Sequence, residues 1–139
     1  LDGINKPLIK PEKIIYLGIR DIDSAEEKFI QNLGITRFPM KKIIDSGIQD
    51  ILKQIDKKIG KNPIHVSFDI DVMDNSLVPG TGTPVKIGLN LNELGDIEKW
   101  LKKKRNNIMT FDLVEINPLL DRNDRTLKLG ARILNNIFL

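Results

Sequence analysis

Apolar positions along this chain fall into two alternating patterns, short unbroken runs and longer stretches with helical spacing. The runs are Lys13 to Ile19 (Lys-Ile-Ile-Tyr-Leu-Gly-Ile), Ile64 to Ile70 (Ile-His-Val-Ser-Phe-Asp-Ile) and Ile108 to Val114. Each reads as a strand, and such continuity predicts burial on both faces. Between the first two, Phe29, Ile30 and Leu33 ahead of Gly34 predict a helix over 24–33, opened by Ser24 and Glu27 at capping-box spacing. A brief extended piece near Ile35 to Met40 leads into the strongest helical pattern, Ile44, Ile48, Ile51, Leu52, Ile55 and Ile59. It predicts one helix, opened by Asp45 or Ser46 and closed by Gly60. After a long Gly/Pro/Thr-rich loop over 72–90, Asn90 with Glu93 opens another helix, with Leu94, Ile97, Trp100 and Leu101 facing inward. Asp124 is placed to cap a last helix running through Leu127, Ala131, Leu134 and Phe138. Strands alternating with helices imply right-handed crossovers and a three-layer α/β/α fold with a mostly parallel sheet.

Composition narrows the class of protein. A chain of 139 residues is long enough for one domain with its own core, so a single domain over 1–139 is expected. No apolar run approaches the roughly 18 residues a membrane span needs, so no membrane role is expected. The absence of cysteine excludes a disulfide framework and any Cys-based zinc site or nucleophile, and it favours a reducing, cytoplasmic setting. The formal charge of +3 is densest at Lys99 to Arg105. That cluster reads as the cationic end of an amphipathic helix, where it complements the macrodipole, so nucleic acid is not an expected partner. The chain begins with Leu1 and opens almost directly into a strand, as an internal fragment would, so an upstream portion is expected.

The acids add chemistry to this frame. In α/β sheets of this kind, ligands bind beyond the carboxyl ends of the strands. The first run leads into Arg20-Asp21-Ile22-Asp23 with Glu26 a turn later, the central run into Asp69-Ile70-Asp71, and the third into Glu115. All are expected at one rim. Asp69 and Asp71, two apart on an extended segment, would leave the same face and converge on a common cation, with Ile70 pointing into packing. Carboxylates are hard ligands suited to magnesium, calcium or manganese, and a metal would relieve their mutual repulsion. The alternative is that the pair caps backbone groups or stands solvated. Asp74 reads as a turn-stabilising residue. The loop Pro79-Gly80-Thr81-Gly82-Thr83-Pro84 either cradles a polar substrate with its hydroxyls and amides or is simply a turn. His65, the sole histidine, reads as a packing or surface residue, and no nucleophilic triad can be assembled.

The blocks Ser67-Phe68-Asp69-Ile70-Asp71-Val72-Met73-Asp74, Pro79 to Val85 and Val114-Glu115-Ile116-Asn117-Pro118 together resemble the third metal-ligand block and downstream substrate block of the ureohydrolases. Their wording is similar to that of arginases. The likeness extends back to Leu17-Gly18-Ile19-Arg20-Asp21-Ile22-Asp23 and forward into the last helix, so the fold is expected to be the C-terminal half of an arginase-like one. The resemblance implies hydrolysis of L-arginine to L-ornithine and urea by a metal-bridging hydroxide held between two manganese ions. It implies that Asp69 bridges both metals, that Asp71 binds one of them, and that Glu115 holds the guanidinium through a charge-assisted contact. On the same basis Thr83 lies beside the guanidinium, while Asp23 and Glu26 sit near the α-amino group and favour arginine over agmatine. The family's upstream metal-binding blocks and its proton-shuttling histidine have no counterpart here. No catalytic residue is therefore assigned, and the isolated chain is expected to bind manganese poorly and not to turn over arginine. Asn75 replaces the usual Pro after Asp74, and Ile87 stands where Gly is customary. Asn92 occupies a position where animal arginases place an interface Arg, so a homo-oligomer is possible but their trimer is not carried over. Two other readings stay open: an agmatinase-like hydrolase of another guanidino compound, and a degenerate, non-catalytic ureohydrolase-like protein.

Overall fold

Two pairs of parallel strands organise the residues that the computed structural model describes, 9–139. β1 (Ile15–Leu17) pairs with β2 (Thr36–Phe38), and β3 (Ile64–Asp69) pairs with β4 (Ile108–Val114). Parallel neighbours cannot be joined by a hairpin, and here each pair is connected through helix. α1 (Ser24–Asn32) lies between β1 and β2, and α4 (Leu91–Lys104) lies between β3 and β4. α2 (Met40–Ser46) and α3 (Ile48–Ile59) connect the two pairs, and α5 (Arg125–Phe138) closes the chain. The order is that of an α/β fold, as the alternating pattern implies. No helix among the described residues is long and apolar enough to cross a membrane.

Several local expectations are corrected. The capping box of α1 is Asp23 with Glu26, one residue before the expected Ser24 and Glu27. Glu27 is instead drawn into a bidentate ion pair with Arg37 of β2. The single helix expected across 44–59 is two, because Gly47 sits at φ +79° and ψ 144°, outside helical geometry and open to glycine at little cost. Neither Asp45 nor Ser46 opens a helix, and Ile44 is 59% exposed while Met40 and Ile43 are buried. On α5 the apolar stripe is turned from the one expected: Thr126, Leu129, Gly130, Ile133 and Ile137 are buried, whereas Leu127, Leu134 and Phe138 are exposed. Asp124 occupies the N-cap position of this helix, but its side chain makes no capping hydrogen bond. It stands in a left-handed conformation, and the side chain that accepts from the amides of Thr126 and Leu127 is that of Asp121.

The core runs between the helices and one face of β3 and β4. Ile43, Ile51, Ile70, Met73, Leu94, Leu101, Ile133 and Ile137 are among its fully buried members, with Phe68 contributed by β3. The expectation that the strands are buried on both faces fails for this pair. His65, Ser67, Thr110, Asp112 and Val114 form an exposed face, so β3 and β4 alternate as half-covered strands do. The strand ends are fixed by that packing. Gly130 of α5 comes so close to Ile116 that a Cβ there would sit 2.7 Å from Ile116 Cδ1, which anchors the segment following β4.

Candidate active site

Asp69 is the last residue of β3, and beyond it the chain turns at once into a 3-10 turn over Ile70–Val72. Asp71 is therefore not brought beside Asp69 by strand alternation, as the sequence suggests. The turn does it instead: Asp69 Oδ1 accepts the Asp71 amide at 3.0 Å, folding the second acid back toward the first. Ile70 points into the core, as expected, and is fully buried.

Glu115 follows directly on β4, whose Val114 is the register partner of Asp69. It adopts φ +64°, a left-handed conformation uncommon for a residue with a side chain. Strain of this kind concentrates at functional sites, where surrounding structure holds it in place. The charges of Asp71 and Glu115 both act on Asp69. Burial pushes the Asp69 carboxyl above the usual carboxylate range, and those two neighbours push the same way against the lowering effect of the Asp71 amide.

The long loop closes over this group. Thr83 Oγ1 donates to Asp71 Oδ2 at 2.7 Å, and a Cβ built on Gly82 would lie 3.9 Å from Glu115 Oε2. The loop is held by Gly80, whose amide donates to Thr126 Oγ1 and whose carbonyl accepts from the Asn117 amide, both at 2.8 Å. A Cβ at Gly80 would come within 2.5 Å of Asp121, so only glycine allows this seating. Thr81 is 1% exposed, and its Oγ1 has no hydrogen-bond partner among the described residues. Asp74 has the turn-stabilising role expected of it, accepting from the Ser76 hydroxyl and amide and from the Ile87 and Gly88 amides. Those bonds, the Ser76 hydroxyl first, hold its carboxyl down to about 2.

Asp69, Asp71, Thr83 and Glu115 thus meet at one rim. Asp23 and Glu26 are engaged in the α1 capping box, and among the described residues no hydrogen bond or ion pair joins them to that group. His65 lies on the exposed face of β3, its Nδ1 2.6 Å from Thr110 Oγ1. A residue that the sequence reading did not assign is Arg20, which donates from Nη2 to the Asp71 carbonyl and stands 3.8 Å from Asp71 Oδ1. The available signal was a lone cation within an otherwise acidic segment, Arg20-Asp21-Ile22-Asp23.

Among the described residues no three His, Cys, Asp or Glu are arranged to hold a metal ion. Asp69 and Asp71 nonetheless offer hard oxygen donors, and the crowding of Asp69 by two further carboxylates is a charge excess that a cation relieves. The donor chemistry fits part of a manganese centre. Two open surface hollows, of about 390 and 340 Å³, lie elsewhere, around Asp74 and Asn92 and around Arg125 and Leu129.

Comparison with known proteins gives a consistent result. The model of the arginase family matches residues 3–139. An arginase from Coccidioides posadasii is 41% identical over 115 residues, covering 82% of this chain and 35% of that protein. The arginase structure from Bacillus caldovelox superimposes with a TM-score of 0.88 at 30% identity, covering 94% of this chain and 44% of that one. The structure of a hypothetical agmatinase from Burkholderia thailandensis superimposes with a TM-score of 0.76 at 28% identity, covering 93% of this chain and 38% of that one. The chain spans less than half the length of each of these relatives.

Proposed function

This chain belongs to the arginase family, and we propose that it is part of a manganese-dependent arginase that hydrolyses L-arginine to L-ornithine and urea. The observation that carries this reading is the meeting of Asp69, Asp71, Thr83 and Glu115 where β3, β4 and the long loop end together. In this proposal Asp69 and Asp71 would both serve as manganese ligands. Manganese, when bound, supplies Lewis-acid charge and a water made nucleophilic near neutral pH.

The chain's own residues bind and orient the substrate. Glu115 accepts the planar guanidinium through charge-assisted hydrogen bonds, a task suited to an exposed carboxylate at a strand end. Thr83, already fixed to Asp71, borders the same space. Asp23 and Glu26 read the α-amino group. Among the described residues their backbone bonds use Asp23 Oδ1 and Glu26 Oε2, which leaves the second oxygen of each exposed carboxylate for an ammonium. Agmatine keeps that amine and lacks only the α-carboxylate, so these two acids can hold either compound, and the preference for L-arginine rests on the likeness to arginases. Likeness to the hypothetical agmatinase keeps a second reading, hydrolysis of another guanidino compound, as the direct competitor.

The test is urea release by the full chain with manganese, on L-arginine and on agmatine side by side. The proposal expects L-arginine to be preferred and the isolated 139 residues to release none. Faster release from agmatine would transfer the assignment to the second reading. Release by the isolated 139 residues would show that the metal site is more complete than two carboxylates.

A further inference from the structure

We propose that Arg20 is a positioning residue for the metal-binding carboxylates, holding the turn that carries Asp71 so that this acid faces Asp69. The inference rests on the arginase reading above and extends it to a residue outside the metal and substrate sets.

Arg20 lies just past the end of β1, 51 positions from Asp71, yet its guanidinium reaches both the main chain and the carboxylate of that residue. Its side chain is 14% exposed. Nη1 is buried without a hydrogen-bond partner among the described residues, a cost that the contacts of Nη2 must offset. The backbone is shaped for this approach. Gly18 sits at φ +80°, and a Cβ there would lie 2.5 Å from Val72 Cγ2, so the end of β1 packs directly on the Ile70–Val72 turn. Thr83 holds Asp71 from the other side, with Oδ2 bonded to the hydroxyl while Oδ1 faces the guanidinium. Among the described residues Arg20 is the one cation paired with Asp69, Asp71 or Glu115. A fixed guanidinium therefore offsets part of the charge of an acidic cluster and sets the direction of one of its members, as outer partners of metal ligands do.

The test measures Mn(II) affinity in the full chain by electron paramagnetic resonance of free Mn(II), with thermal denaturation of the metal-free protein alongside. Four variants are compared: R20M, R20K, D71N as the reference for a lost ligand, and R37M as a control. R37M breaks the Arg37–Glu27 pair of the same β1–β2 unit away from the acids. R20M should weaken Mn(II) binding by about tenfold, the lower end of what outer partners of ligands contribute. R20K, a point charge without the planar fork, should fall between R20M and the parent. R37M should lower thermal stability with Mn(II) affinity unchanged. Parent-like affinity in R20M, or equal weakening in R37M, overturns the role of Arg20. If R20M does not fold, R20K is judged by the same criterion. If D71N itself leaves affinity unchanged, the metal assignment fails with it, a result distinct from loss in D71N with R20M intact.

Discussion

Asp69 and Asp74 flank the same short turn, and the structure drives them in opposite directions. Asp74 receives donors from Ser76, Ile87 and Gly88 and is held ionised, its carboxyl down to about 2. Asp69 receives one amide, is partly buried, faces two further acids and is pushed up. The first is an acid whose charge the fold uses to tie the ends of a loop. The second is an acid whose charge the fold leaves under-compensated, at the rim where Glu115 also adopts a strained backbone. In the proposed site this contrast is that of a structural carboxylate, Asp74, and a ligand carboxylate, Asp69.

Substitutions can break that contrast, and the largest effect should be on turnover. In the full chain, E115Q keeps the shape of the side chain but gives up the charge that pairs with a guanidinium. It should lower kcat/KM for L-arginine by at least about a hundredfold, near 3 kcal/mol, with little change in urea-denaturation midpoint. A midpoint shift that accounted for the loss would place Glu115 with Asp74 among the structural acids. D74A should do the reverse, destabilising the protein by about 2 kcal/mol in urea denaturation because it strands several amides of the loop. If D74A is as stable as the parent, the turn does not depend on this carboxylate.

Ile87 sharpens the comparison by a smaller amount. Its amide donates to Asp74, yet it is a β-branched residue held at φ +61°, 68% exposed, at the position where the family resemblance calls for glycine. I87G should raise stability by about 1 kcal/mol, since the left-handed conformation costs roughly 1–2 kcal/mol for a side-chain-bearing residue and glycine returns part of that as entropy. An unchanged or lower denaturation midpoint would mean that the backbone there is not strained. The smallest effect concerns pH. Asp74 has a folded pKa below its ordinary value, so its contribution is complete above about 4 and is lost as pH falls toward about 2. The stability of D74N should vary less than that of the parent across this window, as measured by denaturant titrations at each pH. Parallel profiles would contradict the assignment.

Much of this was legible in the residues, for reasons that differ from element to element. β3, β4, α4 and the capping box at Asn90 and Glu93 follow the apolar runs and local spacing directly, because each is fixed by nearest neighbours in sequence. The break at Gly47 was hidden because isoleucines on both sides keep an apparent helical period across it. The buried stripe of α5 was misread because Thr126 and Gly130 face inward, a hydroxyl bonded to the Gly80 amide and a glycine pressed on Ile116. Neither carries an apolar signal. The approach of Asp71 to Asp69 was expected for the wrong reason, since a 3-10 turn, not strand alternation, brings it about. Arg20 escaped because its partner lies 51 residues away, and a long-range pairing of this kind leaves no mark in local spacing.

In the proposed function Asp69, Asp71 and Glu115 form one site that takes manganese and a guanidinium together. Its most direct test is a crystal structure of the full chain with manganese and L-arginine at a pH that slows turnover, with anomalous diffraction recorded at the manganese edge. Anomalous peaks are expected within coordination distance of the Asp69 and Asp71 carboxylates, with a guanidinium hydrogen-bonded to Glu115. Manganese bound away from both aspartates, or a guanidinium seated out of reach of Glu115, would contradict it.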